Sequence, residues 1–236
     1  MTEGIPRMIA TASKDALRKL VPNFLLQQRD IVLRLGPRAC RIYASLRLLD
    51  VLGVRAANQR LVPATRRLFL FVCDGNIMRS AMAEFLMRQA LRDAGLEQQV
   101  RIMSAGLHAS AGRDAHLWAQ EASADLGISL AGHRAKPLTQ DIVEQAGCIL
   151  AMDFQNKAEL LTRYPRSREK IYMLSAYGEG HWQYLEIPDP YLGNLEATRI
   201  CARQLRTCVR NLMVSMFPPS LTPENGGIPD AGTVRC

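Results

Sequence analysis

The sequence predicts an α/β fold: a parallel sheet covered by helices on both faces, preceded by a helical N-terminal extension. Three observations predict it. Short apolar, β-leaning runs recur from residue 67 onward. Each is followed by a segment with helical periodicity. Turn residues, glycine above all, punctuate the chain between elements. Strands alternating with helices need crossover connections, and these make a sheet parallel and bury both of its faces.

Residues 1–66 read as helical. Apolar residues recur through Phe24, Leu25, Leu26, Ile31, Val32, Leu33 and Leu35, and again through Ile42, Tyr43, Leu46, Leu49 and Leu52. Gly36-Pro37 divides this stretch into two helices. Arg38, Arg41 and Arg47 lie among the apolar positions of the second. Such a pair suits packing on a partner protein, on a membrane surface or on the chain's own main domain.

Arg67–Cys73 is the first buried strand, and Asp74-Gly75-Asn76 the turn that ends it. Ser80–Asp93 follows as a helix with Met82, Phe85, Leu86 and Ala90 on one face and Gly95 past its end. Val100–Ser104 reads as a strand, Asp114–Leu126 as a helix stopped by Gly127, and Leu138–Gln145 as another helix. Cys148–Met152 is a strand, Phe154–Thr162 a helix ending near Pro165, Lys170–Leu174 a strand, and Leu195–Met216 a long final helix. The domain boundaries are therefore 1–66, 67–216 and a Pro- and Gly-rich flexible tail over 217–236.

Charge separates the extension from the rest. The chain of 236 residues carries a net charge of +8, but residues 1–67 hold thirteen Lys and Arg against four Asp and Glu. A basic arm favours an acidic partner or an anionic surface, and it equally suits a solvated helical face. Nucleic acid is disfavoured as that partner, because the arm has few aromatics and no recognisable module. The six cysteines form no C-x-x-C pair and no disulfide-framework spacing, and no apolar run approaches the ~18 residues of a membrane span. The first thirty residues show no secretory h-region. A reducing cytoplasm is the expected compartment, with the arm offering peripheral attachment to a membrane.

Cys73 and Arg79 stand in the spacing C-x5-R. The spacing alone is weak, since arginine is 25 of the 236 residues. Its context strengthens it: the cysteine ends a predicted strand and Arg79-Ser80 opens a predicted helix. Backbone N–H groups and the helix dipole favour an anion there. Gly75 and Asn76 tolerate the turn such a loop needs. A thiolate is the attacking form of cysteine, and a helix N-terminus with a nearby guanidinium is expected to lower its pKa. Ser80 can donate a hydrogen bond to the sulfur. The planar fork of Arg79 matches two phosphoryl oxygens. A leaving alkoxide or phenoxide needs a proton, and Asp189, held between Pro188 and Pro190 after the last strand, is the best-placed acid. His108, His116 and His181 show no metal-ligand spacing and read as surface residues.

VCDGNIMRS, SAGLHAS, LAGHRAKPL, ILAMD and EIPDPY occur in that order. Together they resemble the low-molecular-weight protein tyrosine phosphatases, over roughly residues 67–216. The nearest type is the bacterial one that acts beside tyrosine kinases in capsule or exopolysaccharide synthesis. The resemblance implies a four-stranded parallel sheet, the phosphotyrosine phosphatase I-like fold, and a two-step reaction with no metal and no organic cofactor. Cys73 would form a phosphocysteine. Arg79 and the amides of Asp74, Gly75, Asn76, Ile77 and Met78 would bind the phosphoryl oxygens. Asp189 would protonate the tyrosine oxygen and then activate water. Ser80 would stabilise the thiolate, Tyr191 would stack on the substrate ring, and Asn76, Ser104 and His133 would brace the loop. The implied partners are a phosphotyrosine protein substrate, with a bacterial tyrosine kinase among the candidates.

Three departures accompany the resemblance. Met78 stands where many members have a second cysteine able to form a protective disulfide. Ala81 replaces the usual proline after Arg-Ser. The loop near Ser110 lacks the large aromatic that many members carry. Two other readings of the same residues are an arsenate reductase and a non-catalytic phosphate-binding module. The first needs two further relay cysteines, and Cys148 lies within a predicted strand with no second cysteine in 153–161. The second has no use for an acid at Asp189.

Overall fold

The computed structural model describes residues 23–54, 61–63, 68–180 and 186–218, with side chains described from Leu35 onward. Its elements in chain order are α1 (Asn23–Val51), β1 (Leu68–Cys73), α2 (Arg79–Asp93), β2 (Arg101–Gly106), α3 (Leu117–Ala124), α4 (Gln140–Gln145), β3 (Cys148–Ala151), α5 (Phe154–Arg163), β4 (Ile171–Met173) and α6 (Leu195–Met216). Short 3₁₀ turns flank β4 at Pro165–Lys170 and Leu174–Tyr177.

The four strands form one parallel sheet in the order β2-β1-β3-β4. β1 lies inside the sheet and all six of its residues are buried. Such a strand reads as a continuous apolar run because both of its faces meet helices. Alternate residues serve the two faces. Phe69, Phe71 and Cys73 point into a core completed by Met82 and Leu86 of α2 and Leu205 and Val209 of α6. Leu68, Leu70 and Val72 point into a second core with Phe154 and Ala158 of α5 and Tyr43 and Leu46 of α1. The strand order reverses direction at β1, so the loops after β1 and β3 diverge to opposite faces. That crevice at the carboxyl ends of the strands is where open α/β sheets place ligands.

α1 is interrupted at Gly36, whose φ of 68° is left-handed, followed by Pro37. These two residues make the break expected of them. The second half of α1 packs along α5, and Val62 beyond it enters the other core, its N–H donating to the Tyr177 hydroxyl at 2.8 Å. The described parts of the extension thus pack on both layers of the sheet domain.

Two helices start later than the sequence suggests. The helix expected over Asp114–Leu126 spans only Leu117–Ala124. The carbonyl of Arg113 is engaged by the Ala135 N–H at 2.8 Å, and the His116 N–H donates to the Ile77 carbonyl at 2.9 Å, so this backbone is committed elsewhere. The helix expected from Leu138 begins at Gln140, because Leu138 N–H donates to the Gly106 carbonyl and extends the sheet edge. Tertiary pairing outcompetes local helical preference at both places. Of the tail expected over 217–236, Phe217 packs against the core and residues 219–236 lie outside the described residues.

Candidate active site

β1 ends at Cys73, and residues 74–78 turn directly into α2. Asn76 sits in the turn with φ 53°, a left-handed conformation that asparagine tolerates better than most residues. The start of α2 has no side-chain cap, whereas α3, α4, α5 and α6 are each capped by a side chain: His116, Thr139, Asp153 and Asn194. Uncapped N–H groups at a helix N-terminus form an anion site, since their partial positive charge is unmet.

Asn76 holds the loop together. Its Nδ2 donates to Ser80 Oγ and to Ser104 Oγ, each at 2.8 Å. Its Oδ1 accepts from the Lys136 N–H at 2.8 Å, and its carbonyl accepts from His133 Nε2 at 2.7 Å. Ser104 Oγ donates its own hydrogen bond to Glu84. The predicted bracing residues Asn76, Ser104 and His133 are therefore joined in one buried network, and Glu84 joins it without having been marked by any motif. Ser80 Oγ receives a hydrogen from Asn76, which leaves its own hydrogen for Cys73 Sγ at 3.0 Å. The Asn76 N–H also reaches the sulfur, at 3.3 Å.

Gly106, the partner of Cys73 in β2, presses on this loop. A Cβ there would lie 2.6 Å from the Asp74 carbonyl oxygen and 2.8 Å from Asn76 N. Only glycine lets the two backbones approach so closely.

Arg79 is 2% exposed. Its Nη1 lies 2.5 Å from Asp153 Oδ2 and donates to the Ile187 carbonyl at 3.0 Å, and its Nη2 pairs with Asp189 Oδ2. Its Nε is buried with no hydrogen-bond partner. An orphaned buried donor is costly unless something fills the place beside it, and an oxyanion over the loop would satisfy it. Burial works against the Arg79 charge, but Asp153, Asp189 and the Cys73 sulfur outweigh it and raise its pKa, so the cation persists. Asp153 ends the ILAMD run and carries no sign of a role in the sequence. It bridges, with Oδ1 capping α5 at Asn156 N (2.6 Å) and Oδ2 on Arg79.

The thiol differs from expectation. Burial pushes Cys73 up from the ordinary cysteine value, the Arg79 guanidinium and the Ser80 hydroxyl pull it down, and Asp189 pushes it up again. The net direction is upward. Burial is the largest cause, and the pull of the guanidinium and the hydroxyl does not overcome it.

Asp189 stands on the predicted Pro-flanked loop with its side chain 41% exposed, its Oδ1 accepting from the Tyr191 N–H at 3.1 Å. Tyr191 is half exposed and meets the His116 ring edge-on at 5.8 Å, and His116 meets Trp118 at 5.0 Å. His116 is thus half-buried in an aromatic wall rather than a plain surface residue, and this wall adjoins the acid loop while Ser110 is exposed. His108 is half exposed, as expected, and is paired with Asp74 at 2.8 Å and Glu159 at 3.1 Å. His181 lies outside the described residues. Among the described residues no cluster of three or more His, Cys, Asp or Glu is arranged to hold a metal. Cys148 is buried within β3.

A buried thiol over an uncapped helix N-terminus, a buried guanidinium with one donor unspent, and a partly exposed carboxyl facing both define a cysteine-nucleophile phosphate-ester site. The chain belongs to the low molecular weight phosphotyrosine protein phosphatase family, which matches residues 69–221. Among its relatives is the probable low molecular weight protein-tyrosine-phosphatase EpsP of Ralstonia nicotianae, 38% identical over 128 residues, 54% of this chain and 81% of that protein. A protein-arginine-phosphatase of Bacillus subtilis is 34% identical over 143 residues, covering 61% of this chain and 92% of the relative. The crystal structure of the tyrosine phosphatase Wzb from Escherichia coli K30 in complex with sulphate superposes with a TM-score of 0.57 at 27% identity, over 65% of this chain and all of that one. The family match covers the sheet domain and leaves residues 1–68 outside it.

Proposed function

We propose that this chain hydrolyses phosphotyrosine in a protein substrate through a phosphocysteine, with Cys73, Arg79 and Asp189 as its chemical groups. The observation that supports this most is the convergence of the Cys73 sulfur, the unpartnered Arg79 Nε and the Asp189 carboxyl on one loop. The Cys73 thiolate attacks phosphorus, and the P–O bond to the tyrosine ring breaks as Asp189 gives its proton to the departing oxygen. The amides of Asp74, Gly75, Asn76, Ile77 and Met78, with Arg79, hold the equatorial oxygens as charge shifts. Asp189 then takes a proton from water, which attacks phosphorus, breaks the S–P bond and frees phosphate with the thiolate restored. Ser80 steadies the sulfur, and Tyr191 with the His116–Trp118 wall offers a face to an aromatic ring.

The proposed setting is regulation of a bacterial tyrosine kinase in exopolysaccharide synthesis, with residues 1–66 contacting the kinase or an anionic membrane surface. The bacterial character of the motifs and the basic charge of the arm support it. No described helix is long and apolar enough to cross a membrane. The test is hydrolysis of para-nitrophenyl phosphate, a phosphotyrosine peptide and a phosphoarginine peptide by wild type, Cys73→Ser and Asp189→Ala. Preference for phosphotyrosine, abolition by the first change and strong slowing by the second are expected. Preference for phosphoarginine would reassign the substrate, and an inactive wild type under reducing conditions would sink the catalytic reading.

A further inference from the structure

The extension touches the segment that carries Asp189. Arg47, on the second half of α1, places Nη1 2.6 Å from Glu186 Oε2. Its Nε donates to the Tyr43 hydroxyl at 2.9 Å, and its guanidinium lies 5.3 Å from the centroids of both the Tyr43 and the Phe154 rings. Glu186 uses its other oxygen to accept from the Phe154 N–H at 2.6 Å, at the N-terminus of α5, where a carboxylate is favoured by the helix dipole. One residue on, Ile187 N–H donates to the Met152 carbonyl at 2.9 Å, and the Ile187 carbonyl accepts from Arg79. Asp189 follows two residues later.

The acid segment is therefore clipped to the β3–α5 junction on both sides of Asp153, the residue that orients Arg79. Glu186 is mostly buried, and burial pushes its carboxyl up, while the Phe154 amide and Arg47 pull it back. Deleting Arg47 leaves the mostly buried Glu186 charge without its ion-pair partner, which is unfavourable. Glu186 without Arg47 must turn toward water or take up a proton, and either change loosens the segment three residues before the acid. An acid displaced by about 1 Å loses much of its effect on the transition state.

We propose that Arg47 is a positioning residue for proton transfer: through Glu186, the helix of the extension sets where Asp189 stands relative to the leaving oxygen. The inference rests on Asp189 as the acid. It makes the extension part of the working enzyme in addition to any tether it provides, and a partner that drew this helix away would slow the acid-dependent step first.

The full-length chain is assayed with phenyl phosphate and para-nitrophenyl phosphate, reading kcat/KM, which covers the steps through departure of the phenol. Phenolate is the poorer leaving group and depends more on the acid. Arg47→Met keeps the apolar stem over Phe154 and removes the charge. It should lower kcat/KM for phenyl phosphate ~10-fold and for para-nitrophenyl phosphate less than ~3-fold, with Arg47→Lys within ~2-fold of wild type on both. Equal losses on the two esters, or none, would overturn the proposal. Should Arg47→Met fail to fold, Glu186→Gln decides: it must raise the discrimination between the esters at least ~2-fold, and an unchanged ratio overturns the proposal. Asp189→Asn separates the two layers. If it leaves the discrimination unaltered, the acid assignment fails and takes Arg47 with it. If it sharpens the discrimination while Arg47→Met does not, only the role of Arg47 falls.

Discussion

Asp153 Oδ2 lies 2.5 Å from Arg79 Nη1 while Oδ1 of the same carboxylate caps α5. One side chain both orients the phosphate clamp and starts a helix, and substitution can separate the two tasks. Asparagine keeps a capping oxygen but loses the charge. Asp153→Asn should therefore lose stability only through the weakened Arg79 ion pair and reduce kcat/KM ~10- to 100-fold. Asp153→Ala should lose activity and, in addition, about 1 kcal/mol of stability. Thermal unfolding beside steady-state kinetics checks both, and an equal stability loss in the two variants would contradict the division.

Gly106→Ala should likewise uncouple folding from catalysis. The added methyl meets backbone atoms of Asp74 and Asn76, which cannot swing away as a side chain can. The phosphate loop must shift. Overpacking of this kind costs roughly 1–3 kcal/mol, so the fold should survive. Activity should fall to the level of Cys73→Ser, and binding of inorganic phosphate, measured by calorimetry, should disappear with it. Retained phosphate binding would mean that the loop absorbs the methyl.

The Cys73 thiol is held above its ordinary value by burial, with the charge of Asp189 adding to the effect. A negative neighbour disfavours the thiolate, so its removal must lower the thiol pKa. Asp189→Asn should move the midpoint of Cys73 alkylation by iodoacetamide to lower pH, even as turnover falls. Arg79, released from one of its two carboxylates, acts in the same direction. A midpoint that stays or rises would refute this electrostatic reading. The same shift means that bound oxyanion, by engaging Arg79, competes with the carboxylates for it.

Oxidation should be damaging. Met78 occupies the place of a protective cysteine, and the nearby core thiols of Cys201 and Cys208 are each pushed up to about 12 by burial. Thiols so poorly ionised at neutral pH are slow to resolve a sulfenic acid. Peroxide should convert Cys73 to its sulfinic and sulfonic forms, and dithiothreitol should fail to restore activity. Mass spectrometry of the tryptic peptides checks it: a disulfide linking Cys73 to Cys201 would count against the prediction.

Much of the fold was legible because β1, α2 and α6 carry strong local signals. Leu68–Cys73 is uniformly apolar, and Leu195–Met216 has a helical stripe with Asn194 to cap it. The boundaries that slipped, at Leu117 and Gln140, slipped where backbone groups pair with residues far away in sequence. In the site, Cys73, Arg79 and Asp189 could be named from the motifs. Glu84, Asp153 and Gly106 carried no such signal individually, because an acid on a helix, an acid before a helix and a glycine after a strand are each ordinary. His116 read as a surface residue for want of any sign that Tyr191 would be brought to it.

The sequence by itself determined the alternation of strands and helices, the loop that joins a thiol to a guanidinium, and a basic extension broken at Gly36-Pro37. These follow from hydrophobic period, turn chemistry and residue type, all of which are local. Only the tertiary structure decided that Arg79 stands between Asp153 and Asp189, that burial raises the Cys73 thiol, and that Arg47 reaches Glu186. The ion pairs among these join residues from 74 to 139 positions apart. They depend on packing two layers onto one sheet, and the energies involved come from burial and charge at distances the chain order does not encode.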